Sequence, residues 1–108
     1  MFWTYLLIAG LLEISFTTFL KLSDNFTRIP YTILFAICAV LSFLCLNKAI
    51  QGIPIGTAYA VWTGIGAAGT VVMGILLFKE PFGMWRILFL STLIASIIGL
   101  KFVSAKTL

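Results

Sequence analysis

The sequence predicts an all-α membrane protein built from four transmembrane helices, and three observations carry that reading. Of its 108 residues, 62% are hydrophobic and 9% charged, with a mean hydropathy of +1.19, whereas soluble domains average about 25% charged. The apolar residues fall into runs at 2–20, 30–47, 55–78 and 86–104, each close to the roughly twenty residues that a bilayer crossing needs. Only short polar links separate them. The chain therefore reads as a single membrane domain, 1–108, with no extramembrane module.

The first run, FWTYLLIAGLLEISFTTFL, contains a single carboxylate, Glu13. At about 1.5 Å of rise per residue it lies roughly 16 Å deep, near the middle of a hydrocarbon core about 30 Å thick. A carboxylate there costs a few kcal/mol on insertion scales. It must be neutralised by a proton, paired with a cation, or both in turn. The run lacks the basic start and small-residue cleavage pattern of a secretory leader, and Glu13 interrupts what would be its apolar stretch. It reads as a span.

Lys21 ends that run, and Asp24 and Asn25 form a turn before Pro30, which suits the first turn of a helix. The second run carries Ser42 and both cysteines, Cys38 and Cys45, about 10 Å apart in helical rise and too far to bridge. They read as packing residues. Gly52 and Pro54 punctuate the link to the third run, which holds Gly56, Gly64, Gly66, Gly69 and Gly74. Small residues allow close helix approach, and helix breakers are tolerated in a membrane when neighbours satisfy the backbone. Gly64 and Gly66 thus mark a packing face, a kink, or both. The Lys79–Glu80 pair reads as a solvated element. In the fourth run Ala95 and Gly99 form a small-xxx-small pattern suited to helix–helix association.

Positions three or four apart share a helix face. Glu13 thus aligns with Ala9, Gly10, Phe16 and Thr17, and in the third run Tyr59, Trp62 and Thr63 share a face extended by Gly56 and Gly66. Ser42 adds a polar group at similar depth. Aromatic faces attract organic cations by ~0.5–2 kcal/mol each, and Tyr59 and Ser42 can donate hydrogen bonds to a carboxylate. Trp3, Tyr5, Tyr31 and Trp85, near span ends, read as interface belts. The predicted pocket is Glu13 with Gly10, Phe16, Thr17, Ser42, Tyr59, Trp62 and Thr63. It suits a small or lipophilic organic cation and repels anions.

Histidine is absent, and no cysteine spacing fits zinc, haem or an iron–sulfur cluster. No metal or cofactor is expected. One acid without a base, nucleophile or metal cluster falls short of an enzyme's active site. The net charge of +4 would suggest nucleic acid in a soluble protein, but these basic residues cluster at span ends, where they anchor to lipid head groups. With four spans, Lys48, Lys101 and Lys106 share one side of the membrane while Lys21, Arg28, Lys79 and Arg86 take the other. The bias that normally fixes orientation is nearly nil. An antiparallel, dual-topology homodimer follows naturally, since closed two-fold dimers are the common assembly. Two chains would then supply inverted repeats around a mid-membrane site, the general arrangement of transporters.

Several ordered motifs add a resemblance: Ala9-Gly10-x-x-Glu13; Lys21-x-Ser23-x-x-Phe26-Thr27-Arg28; and Pro54-x-Gly56-Thr57-Ala58-Tyr59-Ala60-x-Trp62-Thr63-Gly64. Over essentially its whole length the chain resembles the small multidrug resistance transporters of the drug/metabolite transporter superfamily. The resemblance implies a proton-coupled antiporter for small organic cations in the bacterial inner membrane, working as an antiparallel dimer. It makes Glu13 the shared site of proton and substrate, places Tyr59 and Trp62 in the pocket with Ser42 touching Glu13, lets the third helix bend at Gly64 and Gly66, and gives the fourth helix to the dimer. Gly10, Ser42, Trp62-Thr63-Gly64-Ile65-Gly66-Ala67, Lys79-Glu80-Pro81 and Gly99-Leu100-Lys101 look like the guanidinium-exporter branch. Phe16-Thr17-Thr18 looks more like the quaternary-ammonium branch. Strict guanidinium export, a heterodimeric pair, export of a neutral substrate and a non-transporting accessory role are the alternatives.

Overall fold

The computed structural model describes residues 1–81 and 83–107, with side chains through Val103, so that Lys106 of the charge balance lies outside the described side chains. It contains four helices, α1 (Phe2–Leu22), α2 (Ile29–Ala49), α3 (Ile55–Phe78) and α4 (Met84–Thr107). All are long and apolar enough to cross a membrane. Helices are the natural form here because each satisfies its own backbone polar groups where no water can.

The links obey local chemistry. After α1, Asp24, Asn25 and Phe26 all adopt left-handed backbone angles, easy for the first two and rare for a bulky ring. The buried Ser23 stabilises this turn: its hydroxyl donates to the Leu20 carbonyl at 2.7 Å and accepts the Phe26 N–H at 3.2 Å. Pro30 sits in the first turn of α2, where its missing N–H costs nothing. At the end of α3, Lys79 takes the left-handed position and the Glu80 N–H returns to the Gly74 carbonyl at 3.1 Å. That is a left-handed helix stop, so Lys79 and Glu80 cap a helix as well as facing solvent.

Helix α1 packs along both α2 and α3, which scarcely touch each other, and α4 packs on α3. The tight core, including Leu6, Ala9, Ala58, Val61 and Trp62, fills the end of the bundle nearest the α2–α3 link. The chain measures 45 × 34 × 17 Å. Its thin dimension is that of about two packed helix layers. Exposed apolar side chains such as Ile37, Val40, Phe43, Phe89 and Ile98 cover its faces, as suits lipid or a second chain.

Candidate functional site

The parallel helices α1 and α3 meet in a constant register. Glu13 faces Gly66, and one turn further on Thr17 faces Thr70 at the same sequence offset of 53. The half-buried Glu13 lays its carboxylate against Gly66, where any β-carbon would overlap Oε1. Oε1 is buried and has no hydrogen-bond partner. Buried polar atoms are nearly always partnered. An orphan carboxylate oxygen in an apolar span is costly while it carries a charge.

One turn towards the α2–α3 link, three helices are tied by a single hydroxyl. Ser42 Oγ donates to the Ala9 carbonyl at 2.7 Å and accepts the Trp62 Nε1–H at 2.9 Å. Depth and the family resemblance put Ser42 against Glu13. Its only proton is already committed to Ala9, so within this chain it does not bond Glu13. Trp62 is 6% exposed and packs beside Phe43 and Tyr59, with ring centroids 5.2 and 6.0 Å away. Tyr59 is 58% exposed and is left on the open face. The Thr63 hydroxyl donates to the Tyr59 carbonyl at 2.6 Å, so it is used within its own helix.

Phe16 stands edge-on to Phe35 of α2, with centroids 5.9 Å apart. Gly10 admits the side chain of Ile65, and Gly64 admits that of Ile97 from α4. The sequence marks Gly64 and Gly66 as a packing face, a kink, or both, and α3 is one continuous helix through them. In this conformation they serve close packing: one makes room for α4, the other for Glu13. Ala95 and Gly99 lie on the exposed side of α4, and a β-carbon at Gly99 would meet nothing within 4 Å.

Glu13, Gly66 and Thr17 thus form one seam, and Ser42 and Trp62 form its neighbour. Thr70 is a member of the seam that sequence reasoning missed. Its hydroxyl lies 2.7 Å from that of Thr17, and the signal was its spacing four beyond Gly66 on one face. Among the described residues no group of His, Cys, Asp and Glu could hold a metal ion.

Four membrane-crossing helices and one unpaired intramembrane acid make a multi-pass membrane protein, and its similarity to known proteins places it among transporters. The sequence profile of the Small Multidrug Resistance protein family matches residues 1–94, and the chain belongs to that family, whose fold is a dimer of four-span chains in the bacterial inner membrane. Among its relatives, the protein called "Guanidinium exporter" in Proteus vulgaris is 44% identical over 104 residues, covering 96% of this chain and all of the relative. Those of the same name in Yersinia pestis and Citrobacter freundii are each 46% identical, over 104 and 101 residues, covering 96% and 94% of this chain and 100% and 96% of their own.

Proposed function

We propose that this protein exports small organic cations of the guanidinium type in exchange for protons, with both competing for Glu13. The observation that carries the reading is the Glu13 carboxylate itself, seated on Gly66 with its buried Oε1 unpartnered. A charge held there without a counter-ion is costly, so the site favours a neutral, protonated acid or an acid paired with a cation. The pairing excludes the proton, and the proton excludes the pairing. That exclusion produces exchange when the loaded site reaches either side of the membrane and the empty one does not.

The relatives' names favour guanidinium-type cations. Phe16 favours extension to hydrophobic and quaternary ammonium cations, since a ring without an N–H donor offers dispersion and quadrupole attraction but no hydrogen bond. Tyr59, Trp62, Gly10, Thr17, Thr63 and Ser42 complete the pocket once a second chain closes the open face. The second chain is a copy in the opposite orientation: the basic residues divide almost evenly between the two sides, and α4 keeps its small residues Ala95 and Gly99 exposed.

The test is purified protein in liposomes with a proton gradient, offered guanidinium, alkylated guanidines and quaternary ammonium ions. Cation addition should drive proton movement, and Glu13→Gln should abolish it. Transport retained by Glu13→Gln would reject the chemistry.

A further inference from the structure

Glu13 is enclosed unequally along the α1–α3 seam. Towards the α2–α3 link it is backed by the Ala9–Ser42–Trp62 tie and by the core around Leu6 and Val61. In the other direction two contacts with a polar partner join α1 to α3 among the described residues: the 2.7 Å approach of Thr17 Oγ1 to Thr70 Oγ1 and, at the far end, the Lys21 ammonium 5.7 Å from the Phe78 ring centroid. A cavity of about 330 Å³ begins at the threonine contact. Its inner end is formed by Thr17 and Thr70, and its walls continue past Gly74 to Lys21, Phe78 and Glu80 at the membrane edge. The volume is within the range that accepts small organic ligands, about 300–1,000 Å³. The cavity stops one helical turn short of the carboxylate.

We propose that this cavity is the aqueous approach to Glu13 for protons and small cations alike, that the Thr17–Thr70 bridge is its inner gate, and that Thr70 is the positioning residue that holds the gate shut. The inference deepens the exporter reading and rests on it for the identity of what passes. The Thr17 hydroxyl has one proton, directed at the carbonyls of Glu13 and Ile14, each 3.0 Å away. The proton between the two threonines therefore comes from Thr70, which keeps its lone pairs for water in the cavity. An interhelical hydrogen bond of this kind is weak in a membrane, as a gate that opens in every cycle must be. Water or a cation arriving from the cavity can replace both partners, so opening leaves no polar atom stranded. The apolar packing at the opposite end offers no such replacement.

The experiment uses the full chain in liposomes with Cys38→Ala and Cys45→Ala, and adds Thr17→Cys with Thr70→Cys. Hydroxyls in direct contact place these positions within reach of a disulfide. The first readout is labelling of Glu13 by a water-soluble carbodiimide and glycinamide, located by peptide mass spectrometry. Oxidation should reduce labelling to the background of a Glu13→Gln control, and reduction should restore it. Labelling that is equal in the oxidised and reduced forms overturns the gate. A second pair of variants needs no cross-link. Thr70→Val removes the hydroxyl at nearly constant shape and should raise Glu13 labelling about threefold, the effect of one such hydrogen bond, while Thr70→Ser should return it to the starting level. Equal labelling in Val and Ser variants also overturns the proposal. Guanidinium-driven proton flux, measured on the unsubstituted chain, reports separately on the exporter reading: absent flux with redox-dependent labelling rejects export while the gate stands.

Discussion

The carboxylate of Glu13 on α1 rests against the backbone of Gly66 on α3, in the space that a β-carbon at position 66 would have to occupy. Glycine leaves that space to the acid it faces, and a β-carbon there would make the carboxylate shift, whatever its effect on the helix.

Gly66→Ala therefore separates helix stability from site geometry. Alanine favours helix over glycine by about 1 kcal/mol, so the helix itself gains. The added methyl overlaps the carboxylate and drives it from the seam, an overpacking of about 1–3 kcal/mol. Guanidinium affinity should fall about tenfold or more, with helicity by circular dichroism unchanged. Gly56→Ala is the control, because a β-carbon there meets nothing within 4 Å. Equal affinities in the two variants would show that the carboxylate does not need its glycine seat.

The Ser42 hydroxyl predicts a stability effect distinct from transport chemistry. Ser42→Ala leaves the Trp62 indole N–H buried without its acceptor, which costs about 1–3 kcal/mol in a low-dielectric interior. Trp62→Phe removes the donor instead. A double-mutant cycle of the two, read by unfolding in mixed micelles, should give a coupling of about 0.6–1.7 kcal/mol, the range of interhelical hydrogen bonds in membranes. Strict additivity would mean that the hydroxyl does not tie α2 to α3.

Much of this arrangement is legible in the sequence, and the exceptions have a common physical origin. Four spans follow from run length, and the Glu13–Thr17 stripe follows from helical spacing on one chain segment. Depth in the membrane is likewise readable, which is why Ser42 and Glu13 could be placed at similar levels. Rotation about the helix axis is not readable from depth. Ser42 turns to Ala9 and Trp62, and no one-dimensional pattern reveals that. Gly66 and Gly56 look alike in the sequence, yet one holds a carboxylate and the other faces open space. Thr70 escaped notice because it stands in an apolar run where only its partner across the seam gives it meaning.

The open side of α4 predicts where dimer contacts lie. Gly99→Leu has ample room within its own chain, so it should leave the monomer's helicity and thermal unfolding intact. If a second copy packs on that side, the leucine blocks close approach of the backbones. Fluorescence energy transfer between labelled chains should then be lost at lipid dilutions that preserve it in the unsubstituted protein. Undiminished transfer would place the interface on another helix.

The last prediction concerns protons. Among the described residues the one ion pair is Arg86 with Glu80, 3.4 Å apart and at the surface, so no described basic group pairs with Glu13. In the proposed exchange, what neutralises it is either a proton or the exported cation. Acidification fills Glu13 with protons and must weaken cation binding. Alkaline conditions empty it, and binding reaches a plateau. The apparent guanidinium dissociation constant should thus rise as pH falls, by up to about tenfold per pH unit for each proton displaced. Reciprocity requires the converse, so adding guanidinium to unbuffered protein in the sloping range must release protons. Isothermal titration across pH, with buffers of different ionisation enthalpy, counts those protons directly. A dissociation constant independent of pH, with no proton released, would mean that the cation binds somewhere other than this carboxylate.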